Sequence, residues 1–108
     1  MSYKIEISGR FDKEIRKLIK KFPSLKNEYA TLLGELRDSP FSGTPIGHDC
    51  YKIRLAIESK GRGKSGGARV ITHVYVAGTT VYLLSIYDKS EQADITDKDL
   101  LQLIKAIK

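Results

Sequence analysis

The stretch ARVITHVYVAGTTVYLLSIY, residues 68–87, decides the fold. β-Branched and aromatic residues fill both of its halves, and Ala77-Gly78-Thr79 makes a short glycine-containing link between them. Such side chains favour pleated backbone and such a link favours a tight turn, so 68–76 and 80–87 are predicted as a β-hairpin. In the first strand Val70, Thr72, Val74 and Val76 form one side-chain set, and Arg69, Ile71, His73 and Tyr75 form the other. Val81 and Leu83 make the second strand apolar on both sides, which leaves its parity open. If Leu84 and Ile86 are buried, Ser85 and Tyr87 share the face of Arg69, with Lys89 just past the strand end.

Upstream, Tyr51, Ile53 and Leu55 alternate with Lys52 and Arg54 in a strand predicted from Cys50 to Ile57, which puts the two cations side by side on the face away from the core. Tyr3, Ile5 and Ile7 predict a first strand over 3–7. Phe11, Ile15, Leu18, Ile19 and Phe22, then Leu25, Tyr29, Leu32, Leu33 and Leu36, carry helical spacing on either side of Pro23. The link is so short that the two helices should form an antiparallel hairpin, with Ser24 as N-cap of the second. Pro40 to Gly47 reads as a surface loop. Downstream, Thr96-Asp97-Lys98-Asp99 has the form of a capping box, opening a last helix with Leu100, Leu101, Leu103, Ile104 and Ile107; Asp94, Asp97 and Asp99 read as its capping carboxylates. The expected architecture is α+β: a two-helix hairpin on a mostly antiparallel four-stranded sheet, in the order β-α-α-β-β-β, followed by a C-terminal helix. The second face of the sheet is then left available.

At 108 residues, with 41% hydrophobic and 30% charged residues, the chain is expected to fold as one domain over 1–108. It has no apolar run long enough for a membrane span and no signal-peptide core. Cys50 is the single cysteine, and with only two histidines a four-ligand zinc site is not expected. The expectation is a cytoplasmic protein without metal or cofactor.

The charge is uneven. Residues 1–49 hold nine Lys/Arg and seven Asp/Glu, 50–89 hold seven and two, and 90–108 hold three and four. A cationic segment of this kind suits a polyanion, although a plain solvated basic surface fits the charge equally well. Lys52, Arg54, Arg69 and Tyr87 on one surface have a definite chemical use. RNA is cut without metal when its 2′-OH attacks the neighbouring phosphorus, which needs a base, cations for the added negative charge, and an acid for the 5′-oxygen. Arg and Lys stabilise the charge, a lysine crowded by cations can serve as base, and a tyrosine can stack on a nucleobase or donate a proton. The bland alternative is the solvated side of a half-covered sheet.

Gly63-Lys64-Ser65 matches the end of a P-loop, but Glu58 stands where that motif needs glycine and the loop leads into a strand. What remains is a flexible connection with Lys60, Arg62 and Lys64, suited to gripping phosphates without reading sequence. His48, in a loop, and His73, within a strand, are lone histidines, which are more often structural than catalytic, and Cys50 reads as a small buried residue.

The runs Gly63-Lys64-Ser65-Gly66-Gly67-Ala68-Arg69-Val70-Ile71 and Tyr82-Leu83-Leu84-Ser85-Ile86-Tyr87-Asp88-Lys89-Ser90-Glu91 resemble the HigB-like branch of the RelE/ParE superfamily of bacterial type II toxin-antitoxin toxins. The similarity is strongest from about Gly47 to Asp99. It implies a ribosome-dependent endoribonuclease that cleaves mRNA in the A site and is neutralised by a cognate antitoxin. Lys52 and Arg54 match the family's basic pair, Arg69 its strand-opening arginine, and Tyr87 and Lys89 its stacking or acid residue and a further cation. The implied catalytic set is Lys52, Arg54, Arg69, Tyr87 and Lys89, with Lys60, Arg62, Lys64 and His73 on RNA or ribosome. The sequence departs from superfamily nucleases that use a Glu or His pair, so base and acid stay open. Two other readings are a ParE-like DNA gyrase inhibitor and an inactive module that only binds its antitoxin.

Overall fold

The computed structural model describes residues 2–61, 63 and 66–107, and its elements follow the order β1 (Lys4–Ile7), α1 (Gly9–Lys21), α2 (Leu25–Asp38), β2 (Thr44–Gly47), β3 (Cys50–Leu55), a 3-10 turn (Glu58–Lys60), β4 (Ala68–Tyr75), β5 (Thr80–Asp88) and α3 (Asp97–Ala106). The sheet has five strands in the order β1-β5-β4-β3-β2. β1 runs parallel to β5, and every other pair is antiparallel. The α+β class and the helical hairpin stand as expected. The fifth strand is β2, which falls inside the stretch read as a loop. Pro45 breaks the alternation signal there, yet an edge strand tolerates proline, and β2 is such an edge. A two-residue turn joins it to β3, with His48 and Asp49 both at positive φ (55° and 59°).

Ser8 caps α1 by accepting the Phe11 N–H at 3.0 Å, and its hydroxyl donates to the Leu84 carbonyl, fixing the helix start on β5. Ser24 sits at the N-cap of α2 but makes no capping bond, because its hydroxyl is taken by Glu28 and Ser59. The two helices bury Phe11, Ile15, Leu25, Leu32 and Leu36 against Ile53, Val70, Val74, Val81, Leu83 and Ile86 of the sheet.

The second face of the sheet is not left open. Leu100, Leu103 and Ile104 lie on one stripe of α3 and pack on Cys50, Ile71, Leu84 and Tyr87. That stripe needs an apolar surface, and burying each such side chain contributes roughly 1.5–3 kcal/mol. Thr96 starts α3 as expected, accepting the Asp99 N–H at 3.1 Å.

The open parity of the last strand is resolved by a bulge. Ile71 pairs with Ser85 but Thr72 with Leu83, which leaves Leu84 as the extra residue. Val81, Leu83 and Ile86 therefore face the helical hairpin, while Leu84 and Tyr87 face α3. Ser85 and Leu84 do not fall as simple alternation predicts. The Ser85 hydroxyl donates to Glu14 of α1 at 2.8 Å, and the Ile86 N–H donates to the same oxygen at 3.2 Å.

Candidate nucleic-acid interface

The registers of β3, β4 and β5 line up one row of side chains. Arg54 pairs with Arg69, and Arg69 with Tyr87. Lys52 lies one row along, opposite Ile71, roughly 6–7 Å from Arg54 along the strand. Gly67 lets β4 start this close to β3, since a Cβ there would come 2.1 Å from the Leu55 carbonyl oxygen. Arg54 is exposed, whereas Arg69 and Tyr87 are only 4% and 5% exposed. One Arg69 guanidinium nitrogen donates to the Ala68 carbonyl at 3.1 Å.

The segment between β5 and α3 closes over this row. Lys89 donates its ammonium to the Ala93 carbonyl at 2.9 Å, and Lys52 donates to Asp94 Oδ1 at 3.2 Å. Asp94 Oδ1 also accepts the Ile95 N–H at 2.8 Å. That hydrogen bond, followed by the Lys52 contact, holds the Asp94 carboxyl below the usual carboxylate range. Burial, then the Asp94 charge, raises the Tyr87 phenol, with Arg69 pulling the other way. The Tyr87 hydroxyl is buried without a hydrogen-bond partner among the described residues. Lys52 and Asp94 share a cleft of about 260 Å³ with Ile46, Ile95, Thr96, Asp97 and Leu100.

The structure thus brings together Lys52, Arg54, Arg69 and Tyr87, with Lys89 at the strand end. His73 shares their face but lies four residues along β4 from Arg69, about 13 Å away. Its Nδ1 is 3.0 Å from the His48 carbonyl oxygen. Lys60 does not stand on a free loop. It ends the 3-10 turn with its ammonium on buried Asp88 and 3.0 Å from the Ser90 hydroxyl. Arg62 and Lys64 lie outside the described residues.

Asp94, expected as a cap for α3, instead meets Lys52; nothing in the local sequence signals a contact spanning 42 residues. Asp97 meets His48 Nε2 at 3.2 Å. Among the described residues, no group of three or more His, Cys, Asp or Glu is arranged to hold a metal ion. None of their helices is long and apolar enough to cross a membrane.

A helical hairpin on one face of a mixed sheet, with a basic row and a tyrosine under a C-terminal helix on the other, defines a class of small α+β proteins. The chain belongs to the RelE toxin family: the family model for the RelE toxin of the RelE/RelB toxin-antitoxin system matches residues 36–108. Solved structures share the fold. A free double-arginine variant of the Escherichia coli toxin RelE is 23% identical, with a TM-score of 0.66 over 100% of both chains. A RelBE toxin-antitoxin complex from Mycobacterium tuberculosis is 20% identical, with a TM-score of 0.59 over 82% of this chain and 99% of that one. The intact E. coli RelBE complex is 25% identical, with a TM-score of 0.50 over 81% of this chain and 96% of the other.

Proposed function

We propose that this protein is the toxin of a type II toxin-antitoxin pair and an endoribonuclease that cleaves mRNA in the ribosomal A site. The observation that carries this reading is the register Arg54–Arg69–Tyr87 across three strands, with Lys52 beside it. Two guanidinium groups and an ammonium on one rigid sheet face supply fixed positive charge where a pentacoordinate phosphorus gathers negative charge. Tyr87, with its phenol raised, keeps its proton at neutral pH and, once RNA displaces the segment between β5 and α3 that covers its buried hydroxyl, donates it to the departing 5′-oxygen. The attacking group is the 2′-OH, and the products are a 2′,3′-cyclic phosphate and a 5′-hydroxyl. Lys89 and His73 contact RNA to either side of the row, and Arg62 and Lys64 grip phosphates. Family membership supports the toxin role, and relatives solved as complexes with their antitoxins support an antitoxin partner.

The test is primer extension on ribosomes stalled on a defined mRNA. New 5′ ends inside the A-site codon, absent with Arg69→Ala, are expected. Folded wild-type protein that leaves the mRNA intact would overturn the reading and point to gyrase or to antitoxin binding alone.

A further inference from the structure

The proposed reaction still needs a group to take the 2′-OH proton. Arg54 and Arg69 carry guanidinium groups, which do not deprotonate in proteins, and Tyr87 holds its proton. The Lys52 ammonium is engaged by a carboxylate. That carboxylate, Asp94, reaches the row from outside the sheet. Its side chain is 65% exposed and opens on the cleft it shares with Lys52, so RNA can reach it without unfolding the core.

We infer that Asp94 stands, in the RNA-free protein, where the substrate phosphate will sit on Lys52, and that the carboxylate released by that phosphate accepts the 2′-OH proton. The inference rests on the nuclease reading above. A partly exposed ion pair is weak enough for a phosphate diester to displace. In-line displacement also needs base and acid on opposite sides of phosphorus. Released from Lys52, Asp94 keeps the Ile95 N–H on its Oδ1 at 2.8 Å and so stays at the Lys52 end of the site, while Tyr87 ends the neighbouring Arg54–Arg69 row. The proton of the 2′-OH passes to Asp94, the 2′-oxygen bonds to phosphorus, the bond to the 5′-oxygen breaks, and that oxygen takes the Tyr87 proton. The charged and titratable groups around Asp94 are Lys52 from β3, Tyr87 and Lys89 from the end of β5, and Asp97 from the start of α3.

Stalled-ribosome cleavage by Asp94→Asn and Asp94→Glu, compared with the wild type at pH 7, tests this. Asp94→Asn is expected to lower kcat by about 100-fold or more and to lower the half-saturating substrate concentration because the competing charge is gone. Asp94→Glu, which keeps a proton acceptor, should recover most of kcat. A carboxylate that only props up Lys52 would instead weaken binding and leave kcat in place, and this overturns the inference. Should Asp94→Asn lose its circular dichroism signature, a folded Asp94→Ala with a wild-type kcat overturns it equally. Absence of cleavage by the wild type removes the nuclease reading itself, an outcome distinct from cleavage that is indifferent to Asp94.

Discussion

Arg54 and Arg69 stand directly opposite one another on β3 and β4, two like charges in one cross-strand pair. Like charges so placed cost stability, by roughly 0.2–1 kcal/mol. The arrangement makes physical sense as an anion site.

Replacing the exposed partner should therefore stabilise the fold while harming function. Arg54→Thr is expected to raise the melting temperature by about 1–4 °C and to reduce RNA cleavage. Added phosphate should raise the wild-type melting temperature more than that of the variant. Thermal scans at fixed ionic strength, with and without phosphate, check both points.

Tyr87 presents the opposite balance. Its buried hydroxyl has no hydrogen-bond partner among the described residues, so Tyr87→Phe removes a polar group whose burial is uncompensated. Stability should hold or rise by up to about 1 kcal/mol, while cleavage falls about 10²-fold or more. The phenol is raised above its ordinary 10.0, so the wild type, unlike Tyr87→Phe, should lose stability as pH rises from 10 through the folded value. Urea melts of both proteins paired with single-turnover cleavage separate the two effects.

Lys60 and Asp88 form a buried pair, with side chains 10% and 1% exposed. Burial works against the Asp88 charge, but hydrogen bonds from Lys60 and Ser90 outweigh it and hold the carboxyl below its ordinary 3.8. A depressed carboxylate stabilises the fold above its unfolded value and loses that contribution as pH falls through the folded one, so the loss should begin near pH 4. Lys60→Met strands the Asp88 charge and should cost about 3–5 kcal/mol, whereas Lys60→Met with Asp88→Leu should recover most of it. Urea denaturation of the single and double variants at pH 7 measures the difference.

Burial, then the neighbouring Asp49 charge, pushes the Cys50 thiol up to about 12. At pH 8 the native protein should resist iodoacetamide, and it should label promptly once unfolded in urea. Fast labelling of the folded protein, followed by mass spectrometry, would contradict the packing of α3 over this residue.

Much of this was legible in the sequence, for reasons that differ by element. The alternation in β3 and β4 put Lys52, Arg54 and Arg69 on one face, because period-2 patterning fixes sides wherever one of them is buried. β5 carries apolar residues in both sets, so its sides depend on the bulge at Leu84, a backbone event that no residue type announces. The edge strand β2 hid behind Pro45 and two glycines. The apolar stripe of α3 was visible, but its target was not, because Cys50, Ile71 and Leu84 present an apolar face only once the sheet is assembled. Lys60 and Asp94 found partners 28 and 42 residues away, contacts that local pattern cannot carry.

The central claim is that the row through Arg54, Arg69 and Tyr87 cuts RNA. Its most direct test is the chemistry of the ends produced on stalled ribosomes by the wild type, Arg69→Ala and Tyr87→Phe. The account predicts 2′,3′-cyclic phosphate and 5′-hydroxyl ends at the A-site codon from the wild type, with a rate lower by about 10²-fold or more in each folded variant. Ends bearing a 5′-phosphate, or wild-type rates in both variants, would contradict it.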